Sequence, residues 1–331
     1  MSKAPSKPCL LVGDIGGTNA RFALADPTTP GFSREMTFEC RDFESADVAI
    51  SAYLKKIDAS KPDVICFAAA GPVINGKVRF TNNNWSLDIG ELEQAFTGAS
   101  VRLLNDFAAI AYSIPHLQPD DCIQVGSPTA ADLTGDDFTI GIVGPGTGLG
   151  AAGLLQKNAV VCPIIGEGGH VGFAPETPLQ VKLLAQIADQ FERVCDERLV
   201  SGPGLVNIYR ALGNIRGENL EDLKAAEIFA LATESSDAIA RETVEIFFEV
   251  LGQVAGNLAL SLGAYDGIFI GGGIVARKPE LIADSQFRTG FERKGRHRSL
   301  MESIPTQVIV HAQPGLLGAS YCALQTHRGD F

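Results

Sequence analysis

Two glycine-rich turns, each set between apolar strands, constrain the fold of this chain more than any other feature. The first is Val12-Gly13-Asp14-Ile15-Gly16-Gly17-Thr18, within a strand–turn–strand pattern over 9–25. The second is Val143-Gly144-Pro145-Gly146-Thr147-Gly148, within a similar pattern over 138–155. Each opens its half of the chain. Two similar α/β domains, each contributing one phosphate-facing hairpin to a central cleft, account for the repetition. A length of 331 residues exceeds one ordinary core and suits two domains. Pro115 and Pro119 punctuate the pattern between the halves. The expected division is a small N-terminal α/β domain over 1–116, completed by a C-terminal helix at about 312–331, and a large α/β domain over 117–311.

Periodicity fills in the elements. Val64–Ala70 is an apolar run of the kind that forms a buried strand. Helices are expected over 45–57 and 88–96, with Ser45 and Asp88 as N-caps. A short strand, Val101–Leu104, leads through Asn105-Asp106 into a helix that ends near Ile114. Further helices are expected over 178–196, 203–212, 221–233 and 236–262. The last places Val244, Phe247, Leu251 and Val254 at helical spacing. Gly267–Ile270 reads as a strand running into Gly271-Gly272-Gly273, and Ile304–His311 as another before a closing helix over 315–326.

Composition removes several function classes. A formal net charge of −12 argues against sequence-independent nucleic-acid binding, which needs Lys and Arg to displace counterions. The seven cysteines are scattered and never spaced as a metal knuckle, so they read as buried thiols of a reducing cytoplasm. The N-terminus lacks the apolar stretch of a signal peptide, and the apolar runs fall short of a membrane span.

Several segments can carry chemistry. In Asp14-Ile15-Gly16-Gly17-Thr18-Asn19, backbone N–H groups can nest around phosphate oxygens, with Thr18 and Asn19 as added donors. Asp14 can hold Mg2+ directly or through water. The segment is neither a P-loop nor a dinucleotide fingerprint, and its plain alternative is a β-hairpin. Gly146-Thr147-Gly148 offers the same donors without a carboxylate. Gly271-Gly272-Gly273 permits a flat surface for an adenosine, or is simply a strand-to-helix turn. At a strand end, Asp106 can accept the proton of a sugar hydroxyl, and Asn105 can both donate to and accept from hydroxyls. A helix cap explains the same pair. Glu167 and His170 flank two glycines and can grip adjacent hydroxyls; the alternatives are a lone structural His or a metal ligand without companions. Glu197 can complete a polar ring, or be a surface residue. Thr81-Asn82-Asn83-Asn84-Trp85 can line a sugar pocket, or form a turn.

In order along the chain, GDIGGTNARFAL, AGPV, TNNNW, LLNDF, GPGTGLG, GEGGHVGFAP, ERLVSGPGL, IGGG and PGLLGA resemble the bacterial glucokinase family over roughly residues 9 to 321. The resemblance implies two ribonuclease-H-like domains of the actin-like ATPase type, with mixed sheets around a central cleft. It implies ATP and Mg2+ as cofactors, glucose as substrate, a cytoplasmic homodimer, and no nucleic-acid or membrane partner. By position it makes Asp106 the general base. Asn105, Glu167, His170, Glu197 and Asn82 become sugar contacts. Asp14, Ile15, Gly16, Gly17, Thr18 and Asn19 become the phosphate loop. Gly146, Thr147 and Gly148, with Gly271, Gly272 and Gly273, face phosphates and adenosine. Gly172 stands where some relatives carry Asp. The cysteine-rich zinc site of the related repressor/open-reading-frame kinase family is missing after His170, and the residues before Asp14 are too few for a helix-turn-helix. The expected reaction is ATP-dependent phosphorylation of the glucose 6-hydroxyl. A kinase for another hexose such as mannose or fructose, for an N-acetyl amino sugar, or with polyphosphate as donor, a non-catalytic sensor and an assembly ATPase are the rivals.

Overall fold

The computed structural model describes residues 7–80, 85–234 and 237–330. Its contacts form two compact units, Met1–Leu117 with His311–Phe331, and Gln118–Val310. The first unit runs β1 (Leu10–Ile15), β2 (Asn19–Ala25), β3 (Phe32–Glu39), α1 (Ala46–Lys56), β4 (Val64–Ala69), β5 (Lys77–Arg79), β6 (Ser86–Asp88), α2 (Ile89–Ala95), β7 (Ser100–Asn105) and α3 (Asp106–Ser113). The second runs β8 (Cys122–Val125), β9 (Phe138–Pro145), β10 (Leu149–Lys157), β11 (Val160–Gly166), α4 (Pro178–Ala188), α5 (Gly202–Arg216), α6 (Ala225–Glu234) and α7 (Ala238–Leu262). It continues through β12 (Gly267–Ile270), α8 (Gly273–Ala276), α9 (Glu280–Ala283), α10 (Phe287–Glu292), α11 (Arg298–Ser303) and β13 (Thr306–Ile309). Helix α12 (Pro314–Arg328) returns to the first unit.

The two main sheets repeat one plan. The first has the order β3-β2-β1-β4-β7, with β1–β2 and β2–β3 antiparallel and β1–β4 and β4–β7 parallel. The second has the order β11-β10-β9-β12-β13-β8, and its first five strands reproduce those polarities, with β8 added antiparallel at the edge. The paired glycine turns are thus the connections β1–β2 and β9–β10 of a duplicated α/β topology. In the first sheet, period-2 alternation splits β1 between two cores. Leu11 and Ile15 join Phe22, Tyr53 and Phe67 on one face, and Leu10 and Val12 join Leu316, Ala319 and Cys322 of α12 on the other. Central β4 is buried at every residue, as a parallel strand covered on both faces must be.

Helix α12 lies very close to α3. A Cβ on Gly318 would fall 1.7 Å from the Ala109 carbonyl oxygen, a backbone atom that cannot step aside. Gly318→Ala is therefore expected to lower stability by about 1–3 kcal/mol through overpacking. Alanine is the better helix former by about 1 kcal/mol, so the sign is informative. Thermal unfolding should show a lower Tm; a raised Tm contradicts the close approach.

The second unit packs around α7, whose Phe247 and Phe248 make an edge-on pair at 5.4 Å beside Phe229. By length and composition α7 could cross a membrane, but 72% of its apolar window is buried, as befits a core helix. Several sequence expectations shift. The helix expected over 178–196 ends at Ala188, because the following residues turn back to pair Cys195 with Gly172. Helix α6 starts at Ala225, after Lys224, whose N–H donates to the Glu227 carboxylate. Asp88 caps α2 through Gly90 N at 2.8 Å, whereas the Ser45 side chain makes no capping bond to α1. All seven cysteines are free thiols, but Cys162 is exposed and Cys122 half-buried, so burial holds for the other five only.

Candidate active site

In the first unit, the parallel strands β1, β4 and β7 end together: Ile15 pairs with Ala69, and Ala69 with Asn105. Carboxyl ends of parallel strands are where ligands meet an open α/β sheet. Asp14 and the Asn105-Asp106 pair thus share one edge, two strand spacings or ~10 Å apart. Asn105 is the N-cap of α3, its Oδ1 accepting from Phe107 N at 3.0 Å and Ala108 N at 3.3 Å. Its Nδ2 donates to the Gly71 carbonyl at 3.2 Å. The cap explanation therefore holds for Asn105, and a sugar hydroxyl can expect from it only the second amide N–H. Asp106 is the first residue of α3, half-buried, with Oδ1 accepting from Phe107 N at 2.9 Å.

Asp14 sits beside Arg21, whose Nη1 lies 3.7 Å from Asp14 Oδ2 and donates to Gln313 Oε1 at 2.7 Å. Arg21 also pairs with Glu35 at 3.1 Å. Burial pushes the Asp14 carboxyl above its ordinary range, and Arg21 opposes this. The start of α12 lies over it, since a Cβ on Gly315 would be 3.6 Å from Asp14 Cγ. In the adjoining turn, Gly16 N donates to Asn19 O at 2.9 Å, and the side chains of Thr18 and Asn19 are exposed. Among the described residues no group of three or more His, Cys, Asp or Glu could hold a metal ion. A lone carboxylate suits Mg2+, which keeps its waters and takes its other ligands from nucleotide phosphates.

In the second unit, one tripeptide faces two ways. Gly146 and Thr147 line a cavity of about 810 Å³. Gly148 instead abuts Glu197: a Cβ there would fall 2.5 Å from Glu197 Oε2, which accepts from Leu149 N at 2.9 Å. The sequence assigned no carboxylate to this turn; the fold supplies one from far along the chain. Glu167 and His170 are carried on a tight turn pressed onto β10, where a Cβ on Gly169 would lie 2.0 Å from Leu149 O. His170 O accepts from Arg193 Nη1 at 2.7 Å, and its Nδ1 lies 3.8 Å from Cys195 Sγ. Asp196 N donates to Val171 O at 3.0 Å, tying this turn to the segment bearing Glu197. Gly148, Glu167, His170 and Glu197 are thereby brought onto neighbouring segments, with Glu167 and His170 exposed.

The cavity walls include Val206, Phe229, Phe248 and Leu281, and its volume falls in the range of small-molecule sites. Gly273 lines it, but Gly271 and Gly272 do not. Gly272 instead has φ +85° and packs on β9, where a Cβ would meet Pro145 O at 2.3 Å. The three-glycine surface expected for adenosine is thus reduced to one residue. Trp85 is buried, with Nε1 donating to Phe43 O at 3.0 Å, so its indole packs as part of the core of the first unit. Asn82 lies outside the described residues. Arg21 and Gln313, Phe229 and Phe248, and the cations Lys224, Arg277 and Lys278 were missed by sequence reasoning. Only the glycines before Arg277 offered a signal for any of them.

The sequence model of the glucokinase family matches residues 11–326. A glucokinase of Caulobacter sp. (strain K31) is 41% identical over 94% of this chain and 93% of its own. The chain belongs to the glucokinase family. The solved glucokinase of an Antarctic psychrotroph is 35% identical, covers 95% of this chain and 98% of that one, and superposes with a TM-score of 0.87. The fold extends to a ROK family glucokinase from Streptomyces griseus, solved with glucose and AMPPNP, at 19% identity and a TM-score of 0.65 over 96% and 99% of the two chains. In this glucokinase-family chain the duplicated sheet explains why two similar glycine turns recur.

Next to Glu197, buried Asp196 has its carboxyl pushed up to about 7 by desolvation, with Lys294 opposing. Lys294 is itself paired with Glu176 at 2.8 Å. A raised carboxyl makes the folded chain bind more protons than the unfolded one. Its stabilising contribution is full below the ordinary carboxylate range and is lost as pH rises toward 7. Asp196→Asn should flatten the pH dependence of stability and gain on the order of 2 kcal/mol relative to wild type at pH 8. Urea unfolding at pH 5 and pH 8 checks this; parallel shifts in both proteins would count against it.

Proposed function

We propose that the protein transfers the γ-phosphoryl group of ATP to the 6-hydroxyl of glucose, giving glucose 6-phosphate and ADP. One observation carries the reading: the Gly146-Thr147-Gly148 turn borders the cavity on one side and the Glu197 carboxylate on the other. A phosphoryl donor and an alcohol acceptor need to meet at such a place. In the proposed roles, Asn105, Glu167, His170 and Glu197, with Asn82, hold the sugar hydroxyls. Asp106 takes the proton from the 6-hydroxyl as its oxygen attacks phosphorus. Backbone N–H groups of Gly17 and Thr18 and of Thr147 and Gly148 donate to phosphate oxygens, while the Gly16 and Gly146 N–H groups close their turns on Asn19 O and Gly148 O. Gly273 borders the adenosine, with Gly271 and Gly272 behind it. Asp14 would hold Mg2+ through water, and that ion, when bound, offsets charge on the phosphates. The resemblance further supports a cytoplasmic homodimer, which sedimentation would test.

A coupled ADP-release assay over glucose, mannose, fructose and N-acetylglucosamine tests the substrate. Glucose should give the highest kcat/KM. Preference for the N-acetyl sugar would move the protein to the rival reading, and ATP turnover unaffected by any sugar would remove kinase activity from it.

A further inference from the structure

We propose that Arg277 is a positioning residue for the phosphate chain of the nucleotide. The inference rests on the nucleotide reading of the cavity given above. The chain carries 39 acidic and 27 basic residues, yet among the described residues the only charged side chains lining the cavity are Lys224, Arg277 and Lys278. Among the described residues, no carboxylate lies within ion-pairing distance of any of these three. Arg277 is instead folded back over the first residue of α8, its Nη2 3.7 Å from the Cβ position of Gly273. The neighbouring Gly272 packs on Pro145, the residue before Gly146. The guanidinium therefore belongs to the part of the wall that carries the glycine turn. The apolar residues Val206, Phe229, Phe248 and Leu281 suit a flat base, not a phosphate. An apolar cavity with a forked, unpaired cation at its turn-bearing wall matches a ligand with a planar body and an anionic tail. Arginine presents paired donors in the spacing of phosphate oxygens, which a lysine ammonium cannot reproduce fully.

Isothermal titration of the full chain with ADP and with adenosine separates phosphate contact from packing. Arg277→Ala should weaken ADP about tenfold or more, the scale of a lost charge-assisted hydrogen bond. Adenosine affinity should change by less than about twofold, Arg277→Lys should restore part of the ADP affinity, and KM for ATP should rise while KM for glucose stays level. Unchanged ADP affinity in Arg277→Ala, or an equal loss for ADP and adenosine, overturns the assignment. Wild-type protein that binds neither ligand overturns the nucleotide reading of the cavity itself, and the role of Arg277 with it.

Discussion

Replacing Asp106 by Asn is expected to lower kcat for sugar phosphorylation by about 10²-fold or more, the scale of a lost general base. The substitution is chosen for what it keeps. Asp106 opens α3, and its Oδ1 accepts the Phe107 N–H. An asparagine retains that acceptor oxygen and nearly the same volume, so the helix start is preserved. What it loses is the capacity to take a proton. Tm should stay within a few degrees of wild type, and KM for ATP should be little changed. Steady-state kinetics with a thermal melt on the same sample decides the matter. Turnover within threefold of wild type would show that the proton leaves by another route.

Gly148→Ala is expected to raise KM for glucose by about 10- to 100-fold, the scale on which a displacement near 1 Å costs a positioned contact. The added methyl would lie 2.5 Å from Glu197 Oε2, so the carboxylate must leave the Leu149 N–H that it now accepts from at 2.9 Å. The collision is with the end of a side chain, so the fold should survive. Gly146 and Thr147 border the cavity independently of that carboxylate, so KM for ATP should move far less. A parallel rise in both KM values would mean that the turn as a whole has shifted. An unchanged glucose KM would remove Glu197 from the sugar site.

Local patterns were legible where local physics determines structure. The β1–β2 and β9–β10 hairpins, fully buried β4 and long α7 each carry a periodicity or an apolar run that few other structures could use. The end of α4 was not legible. Phe191, Val194 and Cys195 continue an apolar pattern, but the last two are buried by the turn that meets Gly172, which depends on a distant segment. The cavity was hidden for a related reason. Val206, Phe229 and Phe248 sit on helices as ordinary core residues would, and only tertiary packing leaves them facing a space. Asn105 illustrates an ambiguity that sequence cannot remove, since the same amide oxygen serves as a helix cap or as a hydroxyl acceptor. The structure commits it to the cap. Trp85 misled by adjacency, because an indole beside three amides looks like a sugar platform until its burial is known.

The most direct test of the account follows phosphorus and carbon signals together while the wild-type protein is mixed with ATP, Mg2+ and glucose labelled at carbon 6. ADP and a phosphate ester at carbon 6 should appear in equal amounts, with no ADP formed when glucose is left out. Release of inorganic phosphate without a sugar ester, or an ester at any other carbon, would contradict it.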